Sequence, residues 1–308
     1  MEQGILLSLC IPTNGVVEWV IPVLEGIYAE DVDIELFEVI VTDNGSNDEF
    51  ALIMRNYEKE YCNFVYKRTQ AVQFQNQIEA FKLAQGALIK FVNHRMKLLP
   101  GTLGYFIQYV KDNKEIEPIT YFSNGALKNV PEYIDLESFN DYVKELSYYS
   151  SWSAGTAMWK SDFNTMDLYK PFNHYFPHID MIFHKKDHRA YKIINKVLME
   201  EIPVDDTKKG KYDLFDAFAN EYIKVLDRLR QEGYITKNTF EKVKKENKQL
   251  VTDLYYTYVI RKKPCSYDLS GFIKAIRVYY STWQILLEIP IIIIKRLTSI
   301  IRGIKKKA

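Results

Sequence analysis

The feature that most constrains this chain is a pair of short apolar runs, each closed by a polar turn, with a helical segment between them. Ile5 to Ile11 is apolar and is stopped by Pro12. Phe37 to Thr42 is rich in β-branched residues and is stopped by Asp43-Asn44-Gly45-Ser46. Both read as buried parallel strands. Val16 to Tyr28 places apolar residues at helical spacing. Strand, helix, strand is the opening of a doubly wound α/β sheet, because a parallel neighbour needs a crossover and the helix supplies it.

The alternation continues. Phe50 to Tyr61 reads as a helix, Phe64 to Tyr66 as a strand, and Ala71 to Ala84 as a helix whose Gly86 stands where a C-terminal cap belongs. Leu88 to Val92 is the next buried strand. Ligands of open α/β sheets bind beyond the carboxyl ends of the strands. Pro12-Thr13-Asn14, Asp43-Asn44-Gly45-Ser46 and Asn93-His94-Arg95 all fall there. After about residue 206 the texture changes. Tyr212 to Gln231, Thr239 to Ile260 and Leu269 to Leu287 are long, charge-laced and helical, separated by Gly233 and by Lys263-Pro264. The expected division is an α/β domain over residues 1–205 and a helical C-terminal region over 206–308.

With 308 residues, 47% of them hydrophobic, the chain can bury one large α/β core and a smaller appendage. Lys and Arg number 41 against 40 Asp and Glu, so no global field draws it to nucleic acid, and no such partner is expected. Cys10, Cys62 and Cys265 have no C-x-x-C spacing, which indicates neither a zinc site nor a disulfide framework and fits a reducing cytoplasm. Met1-Glu2-Gln3-Gly4 lacks the basic start of a secretion signal, so no export by that route is expected. There is no G-x-G-x-x-G, P-loop or G-x-S-x-G, which argues against a dehydrogenase, an NTPase and an α/β-hydrolase.

With the strand ends aligned, residues 5 to 205 resemble family 2 of the glycosyltransferases, which share the GT-A fold. Leu6-Leu7-Ser8-Leu9-Cys10-Ile11-Pro12-Thr13 is similar to the family's first strand. Val39-Ile40-Val41-Thr42-Asp43-Asn44-Gly45-Ser46-Asn47-Asp48 is similar to its V-D-N-G-S-x-D turn and is the stronger match. The resemblance implies a Rossmann-like, mostly parallel sheet flanked by helices, and a UDP-sugar donor. It gives Asp43 the nucleobase, since a carboxylate there can accept from the N3–H of uracil. Gly45 allows the tight backbone and Ser46 can open the next helix, with Pro12, Thr13 and Asn14 alongside. The same residues also make a good turn without any ligand.

The family's next landmark is a strand ending in Asp-x-Asp, then Leu-x-Pro-Gly. Leu98-Leu99-Pro100-Gly101 is in place, and counting back puts Asn93-His94-Arg95 where Asp-x-Asp belongs. Both carboxylates are missing. In the family they hold Mg²⁺ or Mn²⁺ against the donor diphosphate. Asn, His and Arg make a poor hard-cation site, so no metal ligand is assigned and a divalent metal stays open. Either Arg95 or His94 replaces the metal by pairing with phosphate oxygens, or the domain binds sugar nucleotides without catalysis. The first reading is preferred.

Ser151 to Lys160 looks like the family segment beside the donor sugar and the acceptor. Ser153, Ala154 and Gly155 would let backbone approach a sugar ring, and Trp152 or Trp159 can stack on its face, although a Trp is more often core. Trp152 and Gly155 are the candidates. An inverting transfer also needs a base for the acceptor hydroxyl. The family supplies an acid at the start of the following helix, and Phe176-Pro177-His178-Ile179-Asp180 nominates Asp180. His178 would face the diphosphate or hold the base, and Asp162 and Asp187 are rivals. His184 and His188 have no evident third ligand and read as ordinary histidines. The absence of Gln-x-x-Arg-Trp and of a membrane span favours single addition over polymerisation.

Trp283 to Ile304 is isoleucine-rich, interrupted by Lys295, Arg296 and Arg302, and followed by Lys305-Lys306-Lys307. It is too short and too charged to span a bilayer and fits an interfacial helix; the competing reading packs it on another subunit, a homo-oligomer. The expectation is an inverting transferase of the cytoplasm, peripheral at the inner face of a bacterial membrane. It would add one sugar from a UDP-sugar to a surface-glycan or polyprenyl-linked acceptor. The alternative is a non-catalytic sugar-nucleotide-binding or assembly subunit.

Overall fold

The computed structural model describes residues 4–187, 190–203 and 205–305, with backbone alone at 295–297 and 299–305. His188, Lys306 and Lys307 lie outside the described residues. In chain order the elements are β1 (Leu7–Thr13), α1 (Val17–Tyr28), β2 (Phe37–Asp43), α2 (Asp48–Glu60), β3 (Phe64–Arg68), α3 (Asn76–Leu83), β4 (Leu88–Phe91), β5 (Met96–Leu98) and α4 (Thr102–Asn113). Next come β6 (Ile119–Phe122), β7 (Tyr133–Leu136), α5 (Phe139–Leu146), β8 (Ala157–Trp159), α6 (Lys160–Phe163), α7 (Pro177–Ile182), β9 (Tyr191–Ile194) and β10 (Met199–Glu201). The C-terminal helices are α8 (Tyr222–Gln231), α9 (Lys237–Tyr255), α10 (Phe272–Tyr279) and α11 (Thr282–Lys305). Two compact units result, Met1–Tyr142 with Tyr149–Val204, and Val143–Tyr148 with Asp205–Ala308.

The first unit is built on a five-stranded sheet in the order β3-β2-β1-β4-β8, parallel except for β8. All seven positions of β2 and six of β1 are buried, which is why those stretches are mostly apolar rather than alternating, and a polar pair within them, Ser8 and Glu38, shares a hydrogen bond. Thr13 pairs with Asp43 and Asp43 with Arg68, while the β1–β4 register ends at Cys10 and Phe91. The carboxyl ends of β1, β2 and β3 therefore come level, while β4 ends lower, opposite Cys10. Two smaller sheets, β5 with β10 and β6-β9-β7, complete the unit. Helix α2 is opened by Asn47 rather than Ser46: Asn47 Oδ1 accepts from the Phe50 N–H at 3.2 Å, and Asp48 and Glu49 lie at the positive end of the helix dipole.

Four details depart from the sequence reading. Strand β1 runs through Pro12 to Thr13, on the stretch where β4 no longer pairs with it. The helix expected over Ala71–Ala84 is cut short by Gln73 at φ +46° and becomes a 3₁₀ turn (Gln73–Gln75) followed by α3. Gly86 does not cap that helix, whose C-cap is Ala84. A Cβ on Gly86 would lie 2.7 Å from the β1 backbone at Leu7, and its N–H reaches Ser8 Oγ at 2.8 Å, so it is glycine because β1 passes close by. In the second unit the helix expected over Leu269–Leu287 breaks at Tyr280, which is extended and buried, with Asn247 Nδ2 3.0 Å from its hydroxyl. Ser281 then opens α11 with Gln284 in a capping box, each side chain taking the other's backbone N–H.

Candidate active site

The site is assembled from three loops that follow the carboxyl ends of β1, β2 and β4. The β1 loop is held by Thr13, whose Oγ1 accepts from the Gly15 N–H at 3.2 Å and lies 2.9 Å from His94 Nδ1. The direction of the Thr13–His94 hydrogen bond follows the tautomer of the ring. Burial, and then the Arg95 charge, push the His94 pKa down to about 3, so the ring is neutral over the working range of pH. The β2 loop closes on itself: Asp43 Oδ1 accepts from the Gly45 N–H at 2.7 Å, and a Cβ on Gly45 would fall 2.1 Å from the Asn14 carbonyl oxygen. Only glycine lets the two loops touch. Asn14 and Ser46 are exposed, and Pro12 is half-buried.

The Asp43 side chain has no solvent exposure. The Tyr66 hydroxyl donates to its Oδ2 at 3.1 Å, and Arg68 Nε stands 3.8 Å from the same oxygen. Burial and the neighbouring carboxylate push Tyr66 up to about 12. Arg68 is itself held by Asp48 and the Asn47 carbonyl, each at 2.8 Å.

The third loop carries Asn93-His94-Arg95. Asn93 Oδ1 is spent inside its own turn on the Arg95 N–H at 3.0 Å. The Arg95 carbonyl accepts from Ile202 at 2.8 Å, continuing the β5–β10 ladder. Its guanidinium lies 5.7 Å from the Trp19 ring centroid, and that ring meets His94 edge-on at 5.1 Å. Arg95 Nε and Nη1 are buried with no hydrogen-bond partner. This donor set does not fit Mg²⁺ or Mn²⁺: one amide oxygen is already engaged, one ring nitrogen faces Thr13, and a permanent cation fills the third position. Among the described residues no group of three His, Cys, Asp or Glu side chains is arranged to hold a metal.

The remaining candidates lie along a second segment. Asp180, in the first turn of α7, accepts from the Asn173 N–H at 2.6 Å through Oδ2. The Asn173 carbonyl takes Gln75 Nε2 at 2.9 Å, and the Gln73 carbonyl takes Asn44 Nδ2 at 3.1 Å. A run of polar contacts thus joins Asp180 to the Asp43 turn. His178 is buried, its Nε2 3.2 Å from the Ser150 carbonyl and its Nδ1 without a partner, and burial pushes its pKa down to about 4. Trp152 and Gly155 are held by Tyr121 of β6, whose hydroxyl lies 2.6 Å from the Trp152 carbonyl. Gly155 lies under the Tyr121 ring, where a Cβ would come within 2.2 Å of the ring carbon bearing the hydroxyl. Trp159 is core, its Nε1 donating to the Pro118 carbonyl at 2.9 Å, while Trp152 is half-buried against the core. Asp162 is buried in α6. His184 Nε2 lies 2.9 Å from Thr165 Oγ1.

Sequence reasoning missed Asn76, Tyr66 and Trp19. Asn76 is buried and ties the strand ends together, donating to the carbonyls of Thr13 at 3.1 Å and Thr42 at 2.8 Å while accepting from Thr69 Oγ1 at 2.8 Å. An asparagine opening a short helix carries no pattern that sets it apart from any other polar residue.

Such loops at the carboxyl ends of a mostly parallel sheet are those of a GT-A sugar-nucleotide fold. The same fold is seen in S. aureus TarS 1-349 in complex with UDP-GlcNAc, at 15% identity and a TM-score of 0.55, covering 87% of this chain and 75% of that one. TarS 1-349 in complex with UDP is similar at 13% identity and a TM-score of 0.51, covering 91% and 77%. Residues 8–151 match the family described as glycosyl transferase family 2. No curated protein sequence matches the chain.

Proposed function

We propose that this chain is an inverting glycosyltransferase that moves a single sugar from a UDP-sugar to a surface-glycan or polyprenyl-linked acceptor, with Arg95 in the charge role of a metal. The observation that carries the reading is the Arg95 guanidinium beside Trp19, two of whose nitrogens are buried without a partner. Buried donors left without acceptors are costly, and a diphosphate arriving at the end of β4 would satisfy them in bidentate fashion. As the sugar–oxygen bond to the diphosphate breaks, negative charge grows on the leaving group and the fixed guanidinium stabilises it without reorganising. The similar fold of TarS, crystallised with UDP-GlcNAc and with UDP, supports a UDP-sugar donor.

In this reading Asp43 receives the nucleobase after the Tyr66 hydroxyl swings off Oδ2. Asp180 takes the proton of the acceptor hydroxyl while its oxygen attacks the anomeric carbon from the face opposite the diphosphate. The bond from Asn173 holds that carboxylate in place. The test is turnover of UDP-sugars with and without chelator. Activity should persist in EDTA; loss in EDTA with recovery in Mn²⁺ would overturn the role of Arg95. The missing Asp-x-Asp carboxylates also fit a non-catalytic subunit, which UDP binding without turnover of the true acceptor would favour.

For the membrane, the support is α11. Trp283, Leu287 and Ile294 are 74%, 71% and 61% exposed on one side, whereas Ile285 and Ile292 on the other are buried. Among the described residues no helix is long and apolar enough to cross a membrane. An exposed apolar stripe running toward a lysine cluster suits the surface of an anionic bilayer at the cytoplasmic face. Leu287→Glu with Ile294→Glu, both at exposed positions, should abolish sedimentation with phosphatidylserine vesicles. Unchanged sedimentation would remove the tail as the anchor.

A further inference from the structure

Lys90 is a lysine with no solvent exposure, set in β4 opposite Leu9 of β1 and Ala157 of β8. A buried ammonium costs several kcal/mol unless its donors are matched, and an apolar side chain of the same length would fill the space without that cost. What a lysine adds here is three directed donors, and each has an acceptor. Nζ lies 2.7 Å from the Phe91 carbonyl, 2.5 Å from that of Ala154 and 3.4 Å from that of Thr156. The faces of Phe122 and Phe106 stand 5.4 and 5.9 Å away.

Two of those carbonyls belong to Tyr149–Thr156, an irregular stretch that runs mostly as short 3₁₀ turns. Side chains from three elements grip its carbonyls. Tyr121 of β6 places its hydroxyl 2.6 Å from both Tyr149 and Trp152, His178 of α7 meets Ser150, and Lys90 of β4 meets Ala154 and Thr156. Of the three, Lys90 alone sits on the strand that runs directly into Asn93-His94-Arg95, and it binds that strand's last carbonyl as well.

We propose that Lys90 is a positioning residue, locking the Tyr149–Thr156 segment to the end of β4 so that the acceptor side of the site keeps its distance from Arg95. The inference rests on the transferase reading above for what the segment does, but its geometry stands apart from it.

The test is Lys90→Met in the full chain, which keeps the apolar stem and removes the three donors. Amide exchange read by mass spectrometry should quicken at least tenfold over residues 150–156 while β1 and β2 stay protected. UDP affinity by calorimetry should change less than twofold, and kcat for UDP-sugar turnover should fall at least tenfold. Unchanged exchange over 150–156, an equal rise across the whole sheet, or faster local exchange with unaltered kcat would each overturn the proposal. If Lys90→Met does not fold, Lys90→Gln, which keeps an amide donor, should show an intermediate rise in exchange over the same residues, and no local rise would overturn it. Failure of the wild-type chain to bind UDP or turn over any sugar nucleotide counts against the transferase reading instead; the exchange measurement still decides whether Lys90 holds the segment.

Discussion

Replacing Arg95 by methionine should weaken UDP binding while leaving the fold intact or firmer. Two buried guanidinium nitrogens have no hydrogen-bond partner, and each buried polar group left unpaired costs about 1–3 kcal/mol. Methionine removes that penalty and keeps an apolar stem against Trp19, so the melting temperature should hold or rise, about 2–4 °C per kcal/mol for a unit of this size. The donor complex loses its charge-assisted contact with the diphosphate. Truncating one side of a buried charge pair costs about 2–5 kcal/mol, and at about 3 kcal/mol the Kd for UDP rises on the order of 100-fold. Arg95→Lys should fall between, since an ammonium supplies the charge without the planar fork. Calorimetry with UDP in EDTA, paired with scanning calorimetry of the free protein, reads both effects. Equal affinity in Arg95→Met refutes the assignment. A melting temperature that drops in step with the affinity refutes it too, because Arg95 would then be holding the loop together.

Asp180→Asn keeps an oxygen for the Asn173 N–H but cannot take a proton, so sugar transfer should fall by about 10²–10⁴ while UDP affinity stays within twofold. Loss of both would make Asp180 structural. His178 sets an acid limit on stability. Its folded pKa, about 4, lies below the usual 6.5, so the unfolded chain takes up the proton first as pH falls. The protection is complete above pH 6.5 and is lost between 6.5 and about 4, a change of about 3 kcal/mol. Urea melts at pH 7 and pH 4.5 should show the loss in the native chain and a smaller one in His178→Gln; identical slopes in the two would refute it.

The parallel sheet was legible because both its faces are covered. Burial on two sides leaves runs such as Val39-Ile40-Val41 that no exposed helix would carry. The Asp43 turn was legible for a local reason: Asp, Asn, Gly and Ser each shape the backbone within a few residues. What escaped was set by distant neighbours. Nothing near Asp43 announces that Tyr66, a strand away, covers its carboxylate. Gly155 reads as room for a ligand, yet the room is taken by the Tyr121 ring. Tyr280 is apolar enough to continue a helical stripe, and only its hydroxyl contacts with Asn247 and Lys244 explain why the helix stops there.

On the proposed reading, the covered carboxylate of Asp43 turns nucleobase choice into an exchange of hydrogen bonds. Oδ2 already accepts a hydrogen bond from a phenol whose own pKa has climbed to about 12. An incoming ring must hand over a hydrogen of its own to recoup what it displaces. Uracil, with an imide N–H flanked by two oxygens, can do this and can leave the released Tyr66 hydroxyl and Arg68 something to donate to. Cytosine presents a lone pair at the same place and would leave carboxylate and ring repelling each other. A site that is sealed at rest therefore filters by the chemistry of one edge before the sugar or the acceptor is ever tested.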